Sequence, residues 1–349
     1  MLRRFLTPLA IACGAAALLA AAPRTLDIYF IDVEGGQATL VVMPSGESLL
    51  IDTGFAGQGG TFSSAPGDPA QARDANRILA AARAAGLTRI DVLLITHFHA
   101  DHDGGVTELS KLLPIRTFVD HDRPLPSVES VKGSLEAFEW YEAVRSKGHH
   151  IVVSAGDQLP LKGVRTIVLS SAGKTLRHSL PGAGRTDTAC LSAAVEPQEP
   201  NENPRSTGFL LTFGKFRFLD LGDLTGQPLF DLACPRDMVG PVDVYLVAHH
   251  GGADAADPGT FGSFLPRVAI VNNGERKGGA PTLLNMLGQV PGMDWWQLHR
   301  AETGENARDE RIANLDDTTS HWIKVSARED GSFAVINART SESRPYPRR

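Results

Sequence analysis

The densest group of side chains that could do chemistry follows the pattern His-x-His-x-Asp-His and comprises His97, His99, Asp101 and His102. Neutral imidazole nitrogen and carboxylate oxygen are ligands that suit zinc. In an extended loop, His97 and His99 point to the same side and can bind one ion. Asp101 and His102 lie just beyond and can turn toward a second ion. The pattern predicts a metal site, and the alternative is a solvated polar loop that is rich in histidine by chance.

A buried strand is predicted to position this group. Residues Asp91 to Thr96 have the aliphatic and β-branched density, without alternation, of a strand that is covered on both faces. The polar group begins where that strand should end, so its side chains would lie on a loop held by a rigid element. Gly104 and Gly105 then leave room for a sharp backbone turn close to the ions.

Three other predicted strands also end in residues of ligand type. One ends in Asp52, a carboxylate that either caps a turn or orients a ligand histidine. Another leads into Asp223 through a glycine, where a carboxylate is well placed to bridge two metals. The third ends in His249 and His250, and at least one of this pair is predicted to bind metal.

Together these motifs closely resemble those of the metallo-β-lactamase superfamily of metal-dependent hydrolases, over residues 26 to 275. The segments IDVEGGQATLVVMPSGESLLIDTG, ENPRSTGFLL, GD and HHGG are most similar to the hydrolase domain of competence-type DNA-uptake channel proteins and their stand-alone relatives. The resemblance implies an α/β (α+β) fold, a four-layer αββα sandwich with the cleft at one edge of its two sheets.

The resemblance also implies a ligand set for two zinc ions, with Mn²⁺ as an alternative metal. His97, His99 and Asn203 would hold the first ion. Asp101, His102 and one of His249 and His250 would hold the second, and Asp223 would bridge the two. A bridging water would lose a proton near neutral pH and attack a carbonyl or phosphorus centre. Asp52, Asp101 and Asp223 are therefore the carboxylates expected to serve catalysis, and no side-chain nucleophile is required.

The sequence departs from the family pattern at Asn203. Many members supply a histidine just ahead of the hairpin that leads to the bridging aspartate, and Asn203 stands in that place. An amide oxygen is a weaker ligand than imidazole, so the first metal site would be looser, completed by water, or completed by His178. The departure leaves open whether one or two metals are held.

The expected substrate is a phosphodiester or another small molecule. A phosphodiester is favoured because the most similar relatives are associated with nucleic acid and because two metals suit in-line displacement. The net charge of −6 argues against a nuclease groove and gives no footprint for nucleic acid. Alternatives are a carboxylic ester, a lactone or a β-lactam, and a non-catalytic binding protein on the same fold. Arg205, Ser206 and Lys277 are either phosphate contacts or ordinary surface residues.

The ends of the chain carry separate predictions. Residues 1–22 have two arginines ahead of an apolar run that ends in small residues, which is typical of a secretory signal peptide. The protein is therefore expected to be exported, either periplasmic or secreted, or membrane-anchored if this leader is not cleaved. No further transmembrane segment is expected, and the sequence sets no oligomeric state. Residues 23–339 are predicted to form one domain, and residues 340–349 a frayed polar tail.

A few further residues have two interpretations each. Cys190 and Cys234 either form one disulfide or are two buried thiols. His121 follows a predicted strand and either reaches the cleft or is a capping or surface residue. The pair Trp295-Trp296 either walls the substrate site or packs in the core. Helices are predicted at residues 69–86 and 131–147.

Overall fold

The computed structural model describes residues 25–59, 65–125, 133–186, 188–191, 195 and 201–349. The predicted signal peptide, residues 1–22, lies outside these described residues. In the described part of the chain, no helix has both the length and the apolar character needed to cross a membrane.

The first sheet is mixed and has its strands in the order β17-β16-β15-β1-β2-β3-β4-β5-β6. These strands are β1 (Leu26–Phe30), β2 (Thr39–Val42), β3 (Ser48–Ile51), β4 (Ile90–Leu94), β5 (Ile115–Asp120), β6 (His149–Val152), β15 (Ile323–Ala327), β16 (Phe333–Asn337) and β17 (Ser343–Tyr346). The first three strands form an antiparallel meander, and β3 to β6 are parallel.

The second sheet has the order β14-β13-β12-β11-β10-β9-β7-β8. Its strands are β7 (Arg165–Ser171), β8 (Lys174–Thr175), β9 (Gly208–Phe213), β10 (Phe216–Asp220), β11 (Val244–Leu246), β12 (Val268–Val271), β13 (Asp294–His299) and β14 (Ile312–Asn314). Strands β10 to β14 are parallel.

Helices cover the outer face of each sheet. The apolar sides of α1 (Arg73–Ala84), α2 (Val106–Leu112) and α3 (Ser134–Arg145) pack on the first sheet. Those of α4 (Gly226–Ala233), α5 (Pro258–Ser263) and α6 (Pro281–Gln289) pack on the second.

Alternation along the strands divides the apolar residues between the layers. Ile28 and Phe30 face the second sheet, whereas Tyr29 between them packs on the helices. Phe30 meets Phe218 of the opposite sheet edge to face, with 5.8 Å between ring centroids. The four-layer αββα sandwich predicted from the sequence is confirmed.

The tail predicted to be frayed is instead part of the first sheet. Residues 343–346 form β17, which pairs with β16 in antiparallel register. The ring of Tyr346 stacks on Phe333, with 4.6 Å between centroids and an interplanar angle of 8°. Burial of these rings holds a segment whose own sequence is mostly polar.

Two of the open alternatives are resolved by packing. Trp296 is fully buried between the sheets and Trp295 packs under the outer helices, so the pair belongs to the core. Cys190 and Cys234 form a disulfide that ties the turn at residues 188–191 to the end of α4.

Candidate metal centre

The carboxyl ends of parallel strands converge on one edge of the sandwich and carry the candidate residues. Asp52 follows β3, and the group that begins at His97 follows β4. Asp223 follows β10, and the pair His249-His250 follows β11. Because parallel strands end at the same edge of a sheet, side chains far apart in sequence are brought together there.

Four donor atoms form a compact group that we call the second site. They belong to Asp101, His102, Asp223 and His250, and all lie within 4.8 Å of one another. The two imidazole Nε2 atoms are 3.3 Å apart, and each lies 3.1–3.4 Å from a carboxylate oxygen of both aspartates. Atoms bound tetrahedrally at about 2.1 Å to one ion are separated by about 3.4 Å. The spacing therefore fits a single divalent cation.

A separate group consists of His97, His99 and Asp223. We call it the first site, because its histidines are those expected to hold the first ion. His97 Nε2 lies 3.0 Å from His99 Nδ1 and 3.9 Å from Asp223 Oδ2. Asp223 Oδ2 also belongs to the second site, so this one carboxylate faces both groups. Asn203 and His249 lie at the rim, with 3.1 Å between the Asn203 amide nitrogen and His249 Nε2.

Buried polar atoms of the centre are left without partners among the described residues. They include Asp223 Oδ1, His99 Nε2 and Asn203 Oδ1. Burial of such atoms is costly unless they bind something. Donor types, spacing and the unpaired oxygen of Asp223 fit a divalent cation in the second site.

Neighbouring side chains orient the imidazoles of the second site. Asp52 Oδ2 lies 2.7 Å from His102 Nδ1, and Asp52 also accepts hydrogen bonds from the backbone and hydroxyl of Thr96. The Asn272 amide lies 3.2 Å from His250 Nδ1. Both rings present Nε2 to the centre, and the carboxylate on His102 Nδ1 is the arrangement usual for metal-binding histidines.

Burial and the crowded charges shift the pKa values of the centre in opposite directions. Burial and the neighbouring imidazoles hold the pKa of His97 well below its usual range. Burial also opposes protonation of His102, but Asp223, Asp101 and Asp52 together raise its pKa well above the usual range. Burial opposes ionisation of Asp223 too, and the facing imidazoles nevertheless hold its pKa well below the usual range. These pKa directions keep Asp223 ionised and His97 neutral, the forms that bind metal, whereas a cation would have to displace the proton that the carboxylates hold on His102.

Lys277 is the cationic side chain that contacts the second site. Its Nζ pairs with Asp101 Oδ2 and donates a 2.6 Å hydrogen bond to Gly35 O. Burial opposes ionisation of Asp101, but Lys277 and His102 hold its pKa well below the usual range. The side chain of Lys277 is about one-third exposed, at 32%, so it lies between the site and solvent.

The remaining candidate residues are buried, form ion pairs or are exposed to solvent. His121 is buried and lies 3.1 Å from Glu202, so it is not a surface residue. Arg205 pairs with the same glutamate, and Ser206 is fully buried. His178 is exposed.

Sequence reasoning missed three contacts of the centre. Asn272 follows β12 as Asp52 follows β3, so the strand-end pattern could have indicated it. Lys277 lies 176 positions from Asp101, and no local pattern joins them. Asp254, which contacts His249 Nδ1 at 2.8 Å, lies just beyond the two glycines that follow the histidine pair.

Asp220, just ahead of Asp223, is predicted to make stability depend on pH. Burial, reinforced by Asp52, raises its pKa from 3.8 to about 7, although Gln37 and the Gly222 N–H donate to it. The folded state then binds the proton more tightly than the unfolded state. The stability from this proton is complete below pH 3.8 and is lost as pH rises to about 7.

Asp220→Asn should remove this pH dependence, which is worth up to about 4 kcal/mol. In metal-free protein, the variant should therefore gain thermal stability over the wild type at pH 8, and the gain should shrink toward pH 5. Calorimetric melting temperatures at both pH values measure it. A gain of the same size at both pH values would contradict the assignment.

Comparison with known proteins agrees with the architecture. The family model described as the metallo-beta-lactamase superfamily matches residues 31–173. A hydroxyacylglutathione hydrolase from Alkalilimnicola ehrlichii is 42% identical over 19% of this chain and 25% of its own length. One from Photobacterium profundum is 33% identical over 30% of this chain and 33% of its own length. This chain thus spans a third or less of these curated relatives.

Among solved structures, the metallo-beta-lactamase fold protein YhfI from Bacillus subtilis aligns with 78% of this chain and 96% of its own. The identity is 10% and the TM-score 0.45. The family match over residues 31–173, together with the two sheets and their outer helices, shows the metallo-β-lactamase fold.

Proposed function

We propose that this protein is an exported, metal-dependent hydrolase that cleaves a phosphodiester. The observation that carries the proposal is the convergence of four imidazole nitrogens on Asp223 Oδ2, at distances of 3.1–3.9 Å. Imidazole with carboxylate is the donor set of catalytic zinc sites, and Mn²⁺ is the alternative.

The residues divide into those that would hold cations and those that orient them. His97, His99 and Asp223 would hold one cation, and Asp101, His102, Asp223 and His250 a second. Bound divalent cations would supply Lewis-acid activation of water and of the substrate's oxygen. Asp52 fixes the ring of His102, and Asn272 contacts that of His250, so both rings keep Nε2 toward the centre.

Two observations support a phosphodiester as substrate. A carboxylate shared by two cation sites suits in-line displacement at phosphorus. Lys277 lies beside the second site with 32% of its side chain exposed, and an ammonium in that place attracts an anionic substrate group.

A carboxylic thioester is the second candidate substrate class. It is favoured by the two curated relatives, because both are named as hydroxyacylglutathione hydrolases. The same donors would serve either reaction, since attack by an activated water at carbonyl carbon needs no different side chain.

Two features support export. Residues 1–22 have the composition of a secretory leader. The disulfide between Cys190 and Cys234 suits an oxidising compartment, where such bonds form and persist.

The test combines metal analysis with a substrate panel on purified protein. We expect about two zinc equivalents per chain, with hydrolysis of bis-p-nitrophenyl phosphate that chelation abolishes and zinc restores. His99→Ala should lose this activity. His149→Ala is the matched control, because His149 is exposed at the opposite, amino end of a parallel strand.

The same panel separates the rival functions. Faster turnover of a hydroxyacylglutathione thioester than of the phosphodiester would replace the substrate class and keep the metal mechanism. Metal binding without turnover of any ester would favour a binding protein. Protein that binds no divalent cation would overturn the proposal.

A further inference from the structure

We propose that His249, held by Asp254, completes the first site in the place that the family gives to a loop histidine and that Asn203 occupies here. The inference rests on the proposed function only in requiring a cation beside Asp223. It assigns adjacent histidines to different cations, His250 to the second site and His249 to the first.

Distances to the shared carboxylate carry the assignment. His249 Nε2 lies 3.9 Å from Asp223 Oδ2, the same distance as His97 Nε2. His250 Nε2 lies closer to that oxygen, at 3.1 Å, within the second site. The His249 nitrogen is therefore as far from Asp223 Oδ2 as the His97 nitrogen of the first site.

The other nitrogen of His249 is held as a metal ligand requires. Both oxygens of Asp254 lie 2.8–2.9 Å from His249 Nδ1. A carboxylate on Nδ1 fixes the ring and the tautomer, leaves the lone pair on Nε2 and makes that nitrogen a stronger ligand. His102 has the same arrangement with Asp52, at 2.7 Å.

The backbone after β11 separates the two rings. His249 and His250 have φ values of 51° and 53°, in the left-handed region that side chains other than glycine rarely adopt. Their ring centroids are 6.1 Å apart. Successive residues in this conformation send one imidazole to each site.

Gly252 makes room for the Asp254 contact. A Cβ at this position would lie 2.7 Å from Asp254 Oδ1 and 3.2 Å from His249 Nδ1. Any side chain at 252 would therefore displace the carboxylate from the ring. The sequence His-His-Gly-Gly-Ala-Asp thus encodes the ligand, the space and the orienting group together.

Asn203 is the competing ligand. Its Oδ1 is buried without a partner among the described residues, and its amide nitrogen lies 3.1 Å from His249 Nε2. Imidazole nitrogen binds zinc more strongly than an amide oxygen, which is not among the usual zinc ligands. Asn203 is accordingly assigned to the rim, and its amide N–H, which here donates to His249 Nε2, must release that nitrogen when the cation binds.

The test titrates metal-free protein with Zn²⁺ against a chromophoric chelator and counts bound ions by native mass spectrometry. His249→Ala should lose about one of the two bound zinc equivalents. Asp254→Asn should lower the affinity for the more weakly bound zinc ion about 10–100-fold. Asn203→Ala should change that affinity by less than about threefold. Melting of the metal-free variants within a few degrees of the wild type would exclude misfolding, and Asp254→Glu should restore part of the affinity.

The remaining outcomes distinguish failure of this ligand assignment from failure of the proposed function. Loss of an ion in Asn203→Ala, with two ions kept in His249→Ala, would overturn the assignment. Wild-type protein that binds one ion would also overturn it, even if that protein hydrolyses esters. Two ions with the expected variant pattern and no hydrolysis would uphold the assignment and reject the proposed function.

Discussion

Asp223→Asn is expected to lower kcat/KM for the phosphodiester by at least about a thousandfold. Asp223 Oδ2 lies 3.1–3.2 Å from the imidazoles of His102 and His250 and 3.9 Å from those of His97 and His249. The substitution removes the negative charge that both sites share, and an amide nitrogen at this position would point a donor at the metals. The variant should also bind fewer than two zinc ions, as elemental analysis would measure.

Asp231→Asn provides the matched control for this prediction. Asp231 is an exposed carboxylate on α4 that accepts a hydrogen bond from Gln227 on the same helix. The same change of charge there should leave metal content and turnover unchanged. An Asp223→Asn protein with more than half of the wild-type activity would show that this carboxylate does not hold the reacting cations.

Removal of the disulfide is expected to cause a large loss of stability. Cys190→Ala combined with Cys234→Ala opens a link between residues 44 apart, and the loop-closure relation assigns this link about 4 kcal/mol. The melting temperature should fall by roughly 6 °C in a protein of this size. Both cysteines are buried, so part of the loss would come from packing.

Scanning calorimetry in oxidising and reducing buffer measures this effect and supplies its own control. Wild-type protein in a reductant that reaches the disulfide should melt close to the double variant. The double variant itself should not respond to the reductant. An unchanged melting temperature in the double variant would mean that the link contributes little to the folded state.

The strand ends of the centre could be predicted from sequence because each one is a local signal. A buried aliphatic run followed at once by histidine or aspartate marks a strand end, as at His97 and Asp223. Strand β4 is parallel to β3 in the first sheet and β10 is parallel to β11 in the second, and the carboxyl ends of both pairs meet at one edge of the sandwich. Local sequence signals identify the residues of the site, and the arrangement of the strands determines where the site lies.

The different positions of the two adjacent histidines, with His250 Nε2 in the second site and His249 at the rim, could not be predicted in this way. They depend on the positive φ values of His249 and His250, which only the folded turn fixes. Two adjacent histidines in sequence are equivalent candidates until the backbone conformation sends their rings in different directions. The contact of Lys277 with Asp101 is similarly set by tertiary structure.

Two kinds of secondary structure also escaped prediction. Helices α4 and α5 are 8 and 6 residues long and contain glycine and proline, so their helical propensity is low. Packing of Leu229 and Phe261 on the second sheet stabilises them. Strand β17 was missed because its pairing and the stacking of Tyr346 on Phe333 are long-range interactions that a polar sequence does not reveal.

The position of β17 has a consequence for handling this protein. It is the outermost strand of the first sheet, and it covers hydrogen-bonding groups of β16 that would otherwise be open to another chain. Within β17, Pro345 lacks an N–H and Arg344 carries a charge. As the edge strand, β17 therefore resists pairing with another chain. A version shortened after residue 339 would expose a template for aggregation, and an affinity tag is better separated from β17 by a flexible spacer.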